Sequence, residues 1–148
     1  MLIKGIFIDG CGFIEARLIS ESLQLDEKVS FLVDTGASRT TLLDKDALRT
    51  GIRYDKLTKS KSSLIGIGGT ISCFIITDST LTFRSSKGNV SVKLAISVAK
   101  HPLEHMDAHS RTQILRLPSL LGRDVINKYK LTFDFPERSV NLREALIT

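Results

Sequence analysis

The chain has 148 residues, 42% of them hydrophobic and 25% charged, which suits one globular domain large enough to bury a core. Its apolar runs fall far short of the roughly 20 residues a membrane-spanning helix needs, so no membrane association is expected. A net charge of +5 is dispersed along the chain, and seven Phe, two Tyr and no Trp leave little for base stacking, so no nucleic-acid partner is expected.

Short β-like runs follow one another at the spacing of an all-β domain. Ile3–Ile8, Phe13–Ser20 and Val29–Val33 come first, with residues around Ile71–Thr77, Leu81–Arg84 and Val90–Val98 next. Leu131–Phe135 and Ser139–Leu142 close the series as a terminal hairpin, joined by Pro136-Glu137-Arg138. Asp9-Gly10-Cys11-Gly12 and Lys87-Gly88-Asn89 supply further turn chemistry. Helical signal is confined to two places. Asp44–Thr50 has an aspartate cap in Asp44 and a stop in Gly51, and Asp124–Tyr129 follows Gly122 with room for one or two turns. No repeat, low-complexity tract or linker divides the chain, so residues 1–148 are expected to form a single, mainly β domain with one or two short helices.

Met1–Ile6 lacks the charged, apolar, small order of a signal peptide. Cys11 and Cys73 stand far apart in no metal or redox spacing, so both are expected to be reduced core residues on strands, in a cytoplasmic protein. His101, His105 and His109 recur at four-residue intervals, which on one continuous helix would align three imidazoles for a metal. Pro102 near the start and the lack of a clean period through His101–Pro118 favour a solvated loop instead, with or without a short helix, and no metal site is expected.

The most informative stretch is Phe31-Leu32-Val33-Asp34-Thr35-Gly36-Ala37-Ser38-Arg39-Thr40-Thr41. Three apolar residues read as a buried strand ending on a carboxylate, and a small hydroxyl residue and a glycine then suit a tight loop. Leu120-Leu121-Gly122-Arg123-Asp124-Val125-Ile126 is a second apolar strand ended by glycine. Leu64-Ile65-Gly66-Ile67-Gly68-Gly69-Thr70-Ile71 sets a glycine-rich tip between apolar flanks, as a β-hairpin or a plain glycine turn does. It is no phosphate loop, because no helix pattern follows it.

Apolar-apolar-apolar-Asp-Thr-Gly-Ala-Ser resembles the active-site signature of retroviral-type aspartic peptidases. Apolar-apolar-Gly-Arg-Asp resembles the segment that, in the same family, crosses behind the active-site loop and leads into a short helix. The likeness spans roughly residues 13–143 and looks close to single-domain cellular members, among them proteasome-shuttle proteins with a retroviral-like protease domain. It implies a closed β-barrel of the acid protease fold with Asp34 as the catalytic carboxylate. Thr35 would lock two active-site loops together through its hydroxyl, and Gly36 would bring backbone close to an extended peptide. The resemblance further implies that Ala37 and Ser38 line the substrate, and that Ile65, Gly66, Ile67, Gly68 and Gly69 form a flap over it. Gly122, Arg123 and Asp124 would support the loop. Two positions depart from the pattern. Ala37 stands where many pepsin-like enzymes have Ser or Thr, and Ser38 stands where retroviral enzymes have the Asp that pairs with the arginine. Arg123 therefore needs another partner, such as a backbone carbonyl or a subunit contact.

Amide hydrolysis by water needs one ionised and one protonated carboxylate around the same water, a split that two closely packed like charges enforce. A single Asp-Thr-Gly supplies one of them. A homodimer setting Asp34 against Asp34′ on a two-fold axis supplies the other, with no cofactor. The expected function is an aspartic endopeptidase acting on peptides or unfolded proteins. Its rival is an inactive dimeric β-barrel of the same fold that binds an extended peptide without cutting it. Gly5-Ile6-Phe7-Ile8-Asp9-Gly10 also suggests a haloacid dehalogenase-like opening, but Cys11 occupies the position of the second aspartate that chemistry needs.

Overall fold

Period-two alternation governs the long strands of the computed structural model, which describes residues 1–60, 64–66 and 69–145. The chain opens with β1 (Leu2–Lys4), β2 (Ile6–Ile8), β3 (Cys11–Ser20) and β4 (Leu25–Val33). Along β3, Ile14, Ala16 and Leu18 are buried while Glu15 and Arg17 are exposed, as on a strand with one face against a core. Next come β5 (Thr41–Leu42), α1 (Asp44–Thr50), β6 (Thr58–Lys59) and β7 (Leu64–Gly66), then the long β8 (Gly69–Ser85) and β9 (Gly88–Lys100). The last third holds α2 (Ala108–Ile114), β10 (Ser119–Leu121), α3 (Arg123–Ile126), β11 (Tyr129–Asp134) and β12 (Ser139–Glu144).

Strands β3, β4, β10, β5, β9 and β8 pair in that order, and β8 returns to β3 between Arg17↔Thr82 and Ser20↔Ser79, closing a six-stranded barrel. The fold is therefore mainly β with a closed barrel, as the sequence led us to expect. Ile14, Leu18, Phe31, Leu81, Phe83 and Ile96 are fully buried in its core. Each such side chain contributes about 1.5–3 kcal/mol by leaving water. A separate sheet, β1–β12–β11, packs outside the barrel.

Several local expectations change. Ile3–Ile8 is not one strand: it breaks at Gly5 into β1 and β2, which belong to different sheets. A Cβ at Gly5 would lie 2.4 Å from the Phe13 carbonyl oxygen, so only glycine lets the backbone pass there. Ile71–Thr77 and Leu81–Arg84 merge into β8 across a register slip between Ile76 and Ser79. At that slip Asp78 accepts the Ser22 N–H at 2.8 Å and the Ser20 hydroxyl at 2.7 Å, and these donors hold its carboxyl below the usual range.

Helix α1 does stop at Gly51, which takes the left-handed φ of 72°. Asp44 is not its cap: Leu43 occupies that position, and the buried Asp44 carboxylate instead binds the His101 backbone N–H at 3.0 Å and the His101 ring Nδ1. Beyond His101, the least legible segment holds a 3₁₀ turn, Leu103–His105, and α2, capped by Asp107 through the Ser110 N–H at 2.7 Å. The described residues thus contain three short α-helices, one more than the two helical signals. The three histidines do not align, because His101 is buried while His105 and His109 are exposed on separate helical turns. Cys73 is buried as expected, but Cys11 is exposed, because the β2–β3 turn leaves it at the barrel rim.

Candidate active site

Strands β4 and β10 lie parallel, with Phe31 beside Ser119, Leu32 beside Leu120 and Val33 beside Leu121. The sequence separates them by more than eighty residues, so only the fold makes them neighbours. Their ends cross. Asp34 N donates to Leu121 O at 3.1 Å, and in return Arg123 N donates to Ala37 O at 2.8 Å. Between these bonds Asp34 turns the chain: its carboxylate Oδ1 accepts the Gly36 N–H at 2.9 Å, and its carbonyl accepts the Ala37 N–H at 3.2 Å. A Cβ on Gly36 would meet that same Oδ1 at 3.1 Å, so the turn favours glycine.

The Gly122-Arg123-Asp124 turn holds this loop from behind through every one of its residues. A Cβ on Gly122 would fall 2.4 Å from the Arg39 carbonyl carbon, so the two backbones touch as only glycine allows. Arg123 Nη1 donates to Thr35 O at 2.9 Å, a backbone carbonyl standing in for the carboxylate that Ser38 does not provide. Asp124 accepts the Thr40 N–H at 3.0 and 2.9 Å and the Thr40 hydroxyl at 2.7 Å. The same hydroxyl oxygen accepts the Gly122 N–H at 3.1 Å. Thr40, fully buried, is thus the knot between the two loops. Sequence reasoning gave it no role, although it lies within the informative stretch; a hydroxyl just before a second apolar run was the available signal.

Strand parity sorts the neighbouring side chains into two faces. Phe31, with its partners Ile14 and Ser119, is completely buried on the barrel side. Leu32, two residues before Asp34, falls on the opposite face with its partners Phe13 and Leu120, and all three are half-buried. Asp34 therefore shares its face with an apolar row. Thr35, Gly36 and Ser38 are exposed and Ala37 is half-buried, so this loop is open to solvent. Close by in the chain, burial, with the Asp44 charge adding, pushes the Tyr54 hydroxyl up to about 12.

In the glycine-rich segment, Ile65 pairs with Thr70 and Gly66 with Gly69, so β7 and the start of β8 form an antiparallel ladder. Ile67 and Gly68 lie outside the described residues. Among the described residues there is no cluster of His, Cys, Asp and Glu able to hold a metal, and no helix long and apolar enough to cross a membrane.

The Asp-Thr-Gly loop is thus locked against the Gly-Arg-Asp turn at the rim of a closed barrel. The family model described as aspartyl protease matches residues 22–125, most of the chain, and the chain belongs to that family. It shares the fold of a retropepsin-like aspartic protease from Rickettsia conorii, whose crystal structure matches with a TM-score of 0.57 at 23% identity over 96% of this chain and 97% of that one. The EIAV protease complexed with the inhibitor HBY-793 gives a TM-score of 0.46 at 19% identity, over 78% of this chain and 84% of that one. No curated protein sequence gives a match.

Proposed function

We propose that the chain is one half of an aspartic endopeptidase, active when two copies bring Asp34 and Asp34′ together on a two-fold axis. One observation carries this reading. Of the two carboxylates in the crossed loops, Asp124 is occupied by the Thr40 N–H and hydroxyl, whereas among the described residues the Asp34 carboxylate accepts only the Gly36 N–H, through Oδ1. One available carboxylate is half of what water-mediated amide hydrolysis needs, and a second copy is the natural source of the other. The ionised aspartate takes a proton from the shared water, which attacks the peptide carbonyl carbon. The protonated aspartate donates to the carbonyl oxygen, and the resulting gem-diol collapses as the amine leaves with a proton. No covalent enzyme intermediate and no cofactor take part.

In the same reading the Thr35 hydroxyl reaches across the axis, and residues 64–71 close over the peptide as a flap. Leu32 and Leu120, on the Asp34 face, receive its apolar side chains. The dimer contact falls on the β11–β12 hairpin and β2. There Ile6, Ile8, Phe133 and Phe135 stand 59%, 48%, 53% and 47% exposed, and the outer edge of β11 has no strand beside it among the described residues.

Asp34→Asn tests the proposal. Cleavage of an unstructured protein should fall by roughly 10²–10⁴-fold or more, while sedimentation shows the dimer unchanged. Undiminished cleavage by the variant would remove Asp34 from the chemistry. Peptide binding by a wild-type dimer that never cleaves would instead favour the non-catalytic barrel.

A further inference from the structure

A groove of 560 Å³ lies between β1 and the barrel wall of β3, β4 and β8, away from the Asp34 loop. Four of its lining residues are cations, Lys4, Arg17, Lys28 and Arg84, against one carboxylate, Glu15. Arg17 is held by Asp26, but no ion pair engages Lys4, Lys28 or Arg84 among the described residues. These three side chains are exposed, so their charge faces the groove and solvent. With Glu15 and the Asp26 partner of Arg17 counted, the groove still gathers two of the chain's five net positive charges in one concave site.

The charge and the lining of the groove narrow the ligand. Arg17 is cross-strand neighbour to both Lys28 and Thr82, and Arg84 follows Thr82 by two residues on the same face of β8. Lys28, Arg17 and Arg84 thus lie on three adjacent strands, side by side across the sheet rather than along one strand. Lys4 lines the groove from the other side, on β1. The Asn89 amide also lines the groove, whereas the Thr82, Ser85 and Ser86 hydroxyls there already bond to Ser91, Gly88 and Leu2. No aromatic side chain lines the groove, so it has no platform for stacking bases.

We propose that this groove binds an extended polypeptide segment rich in Asp or Glu. Arg17 lies six residues along β3 from Cys11, which is at the rim, so the groove is about 20 Å from the Asp34 end of the barrel. That separation suits a docking site distinct from the site of cleavage. Binding does not depend on catalysis; only the corollary, that acidic stretches mark preferred substrates, rests on the peptidase reading.

The test uses the full chain carrying Asp34→Asn, so that nothing is cut, and follows fluorescence anisotropy of a labelled peptide of alternating Asp and Ser. Its Asn-for-Asp counterpart and single-stranded oligothymidylate serve as competing probes. The Asp peptide should bind about ten-fold more tightly than the Asn peptide at low salt, as two or three exposed ion pairs allow, and the difference should shrink as salt rises. Adding Lys28→Glu and Arg84→Glu should abolish the preference with the melting temperature unchanged, since both side chains are exposed. Equal binding of the two peptides, or a preference that survives both charge reversals, overturns the proposal. Oligothymidylate binding at least as tightly, and lost in the same variant, replaces the acidic peptide by nucleic acid and also overturns it. Cleavage measured separately on the Asp34 protein keeps the failure of either idea distinguishable from that of the other.

Discussion

Thr40→Val isolates the knot that holds the two loops, because valine keeps the shape of threonine and replaces only the hydroxyl. Two consequences follow from the geometry. The buried Gly122 N–H, now bonded to the Thr40 hydroxyl at 3.1 Å, loses its acceptor. Asp124 loses a donor at 2.7 Å but keeps the Thr40 N–H at 3.0 and 2.9 Å. An orphaned buried donor costs about 1–3 kcal/mol, and a hydrogen bond to a charged group is worth about 1.5–3 kcal/mol. The two losses share one atom and Asp124 stays partly satisfied, so the expected destabilisation is about 3 kcal/mol, near the low end of their sum. Urea unfolding reads it directly: with a slope of about 2 kcal/mol per molar, the midpoint should fall by about 1.5 M. Protomer concentration must be held fixed, because association would contribute to apparent stability. Thr40→Ser keeps the oxygen and loses one methyl group, so it should cost only about 1 kcal/mol. A Val variant within about 0.5 kcal/mol of wild type, or a Ser variant as damaged as Val, would show that the hydroxyl does not tie the loops.

Other perturbations probe separate parts of the molecule. Gly122→Ala forces a methyl against Arg39 and Thr40 backbone and should cost about 1–3 kcal/mol or more, read as a lower thermal midpoint; an unchanged midpoint would refute the close approach. Asp78 has its folded-state carboxyl held low, so its contribution to stability is present above the ordinary value of 3.8 and is lost as pH falls through the lower folded value. The gap in urea midpoint between wild type and Asp78→Asn should therefore be open at neutral pH and close in strong acid, and a gap that widens in acid would reverse the sign. His101→Ala strips the buried Asp44 of a partner and should cost on the order of 1–3 kcal/mol in the same unfolding assay; a neutral effect would mean the pair is dispensable. Thiol titration should find Cys11 reactive in the native protein and Cys73 only after denaturation; simultaneous reaction of both would contradict their burial.

Local chemistry was legible wherever neighbours in the chain decide the outcome. Alternation along Phe13–Ser20 marked β3, and Gly51 and Gly88 marked a helix stop and a turn, because each depends on nearby residues and backbone φ. The expected strand Ile3–Ile8 failed at Gly5, where the deciding contact is with the Phe13 carbonyl rather than with anything adjacent. Asp44 looked like a cap because aspartate before a helical run usually is one. Its carboxylate went to His101 instead, 57 residues away, because the fold buries both groups together and a buried carboxylate needs donors.

By itself the sequence determined the family signature: Asp34-Thr35-Gly36 on one apolar strand and Gly122-Arg123-Asp124 on another, together with the period-two pattern of a mainly β domain. It also left Arg123 in search of a partner. The tertiary structure alone decided that the partner is the Thr35 carbonyl, that Thr40 joins the two turns, and that β8 closes the barrel onto β3. It also gathered Lys4, Arg17, Lys28 and Arg84, dispersed in sequence, into one basic groove. The division has one cause: residue order encodes backbone preference and polarity over a few positions, whereas pairing across some eighty residues depends on which edges and buried donors the completed barrel brings within hydrogen-bonding distance.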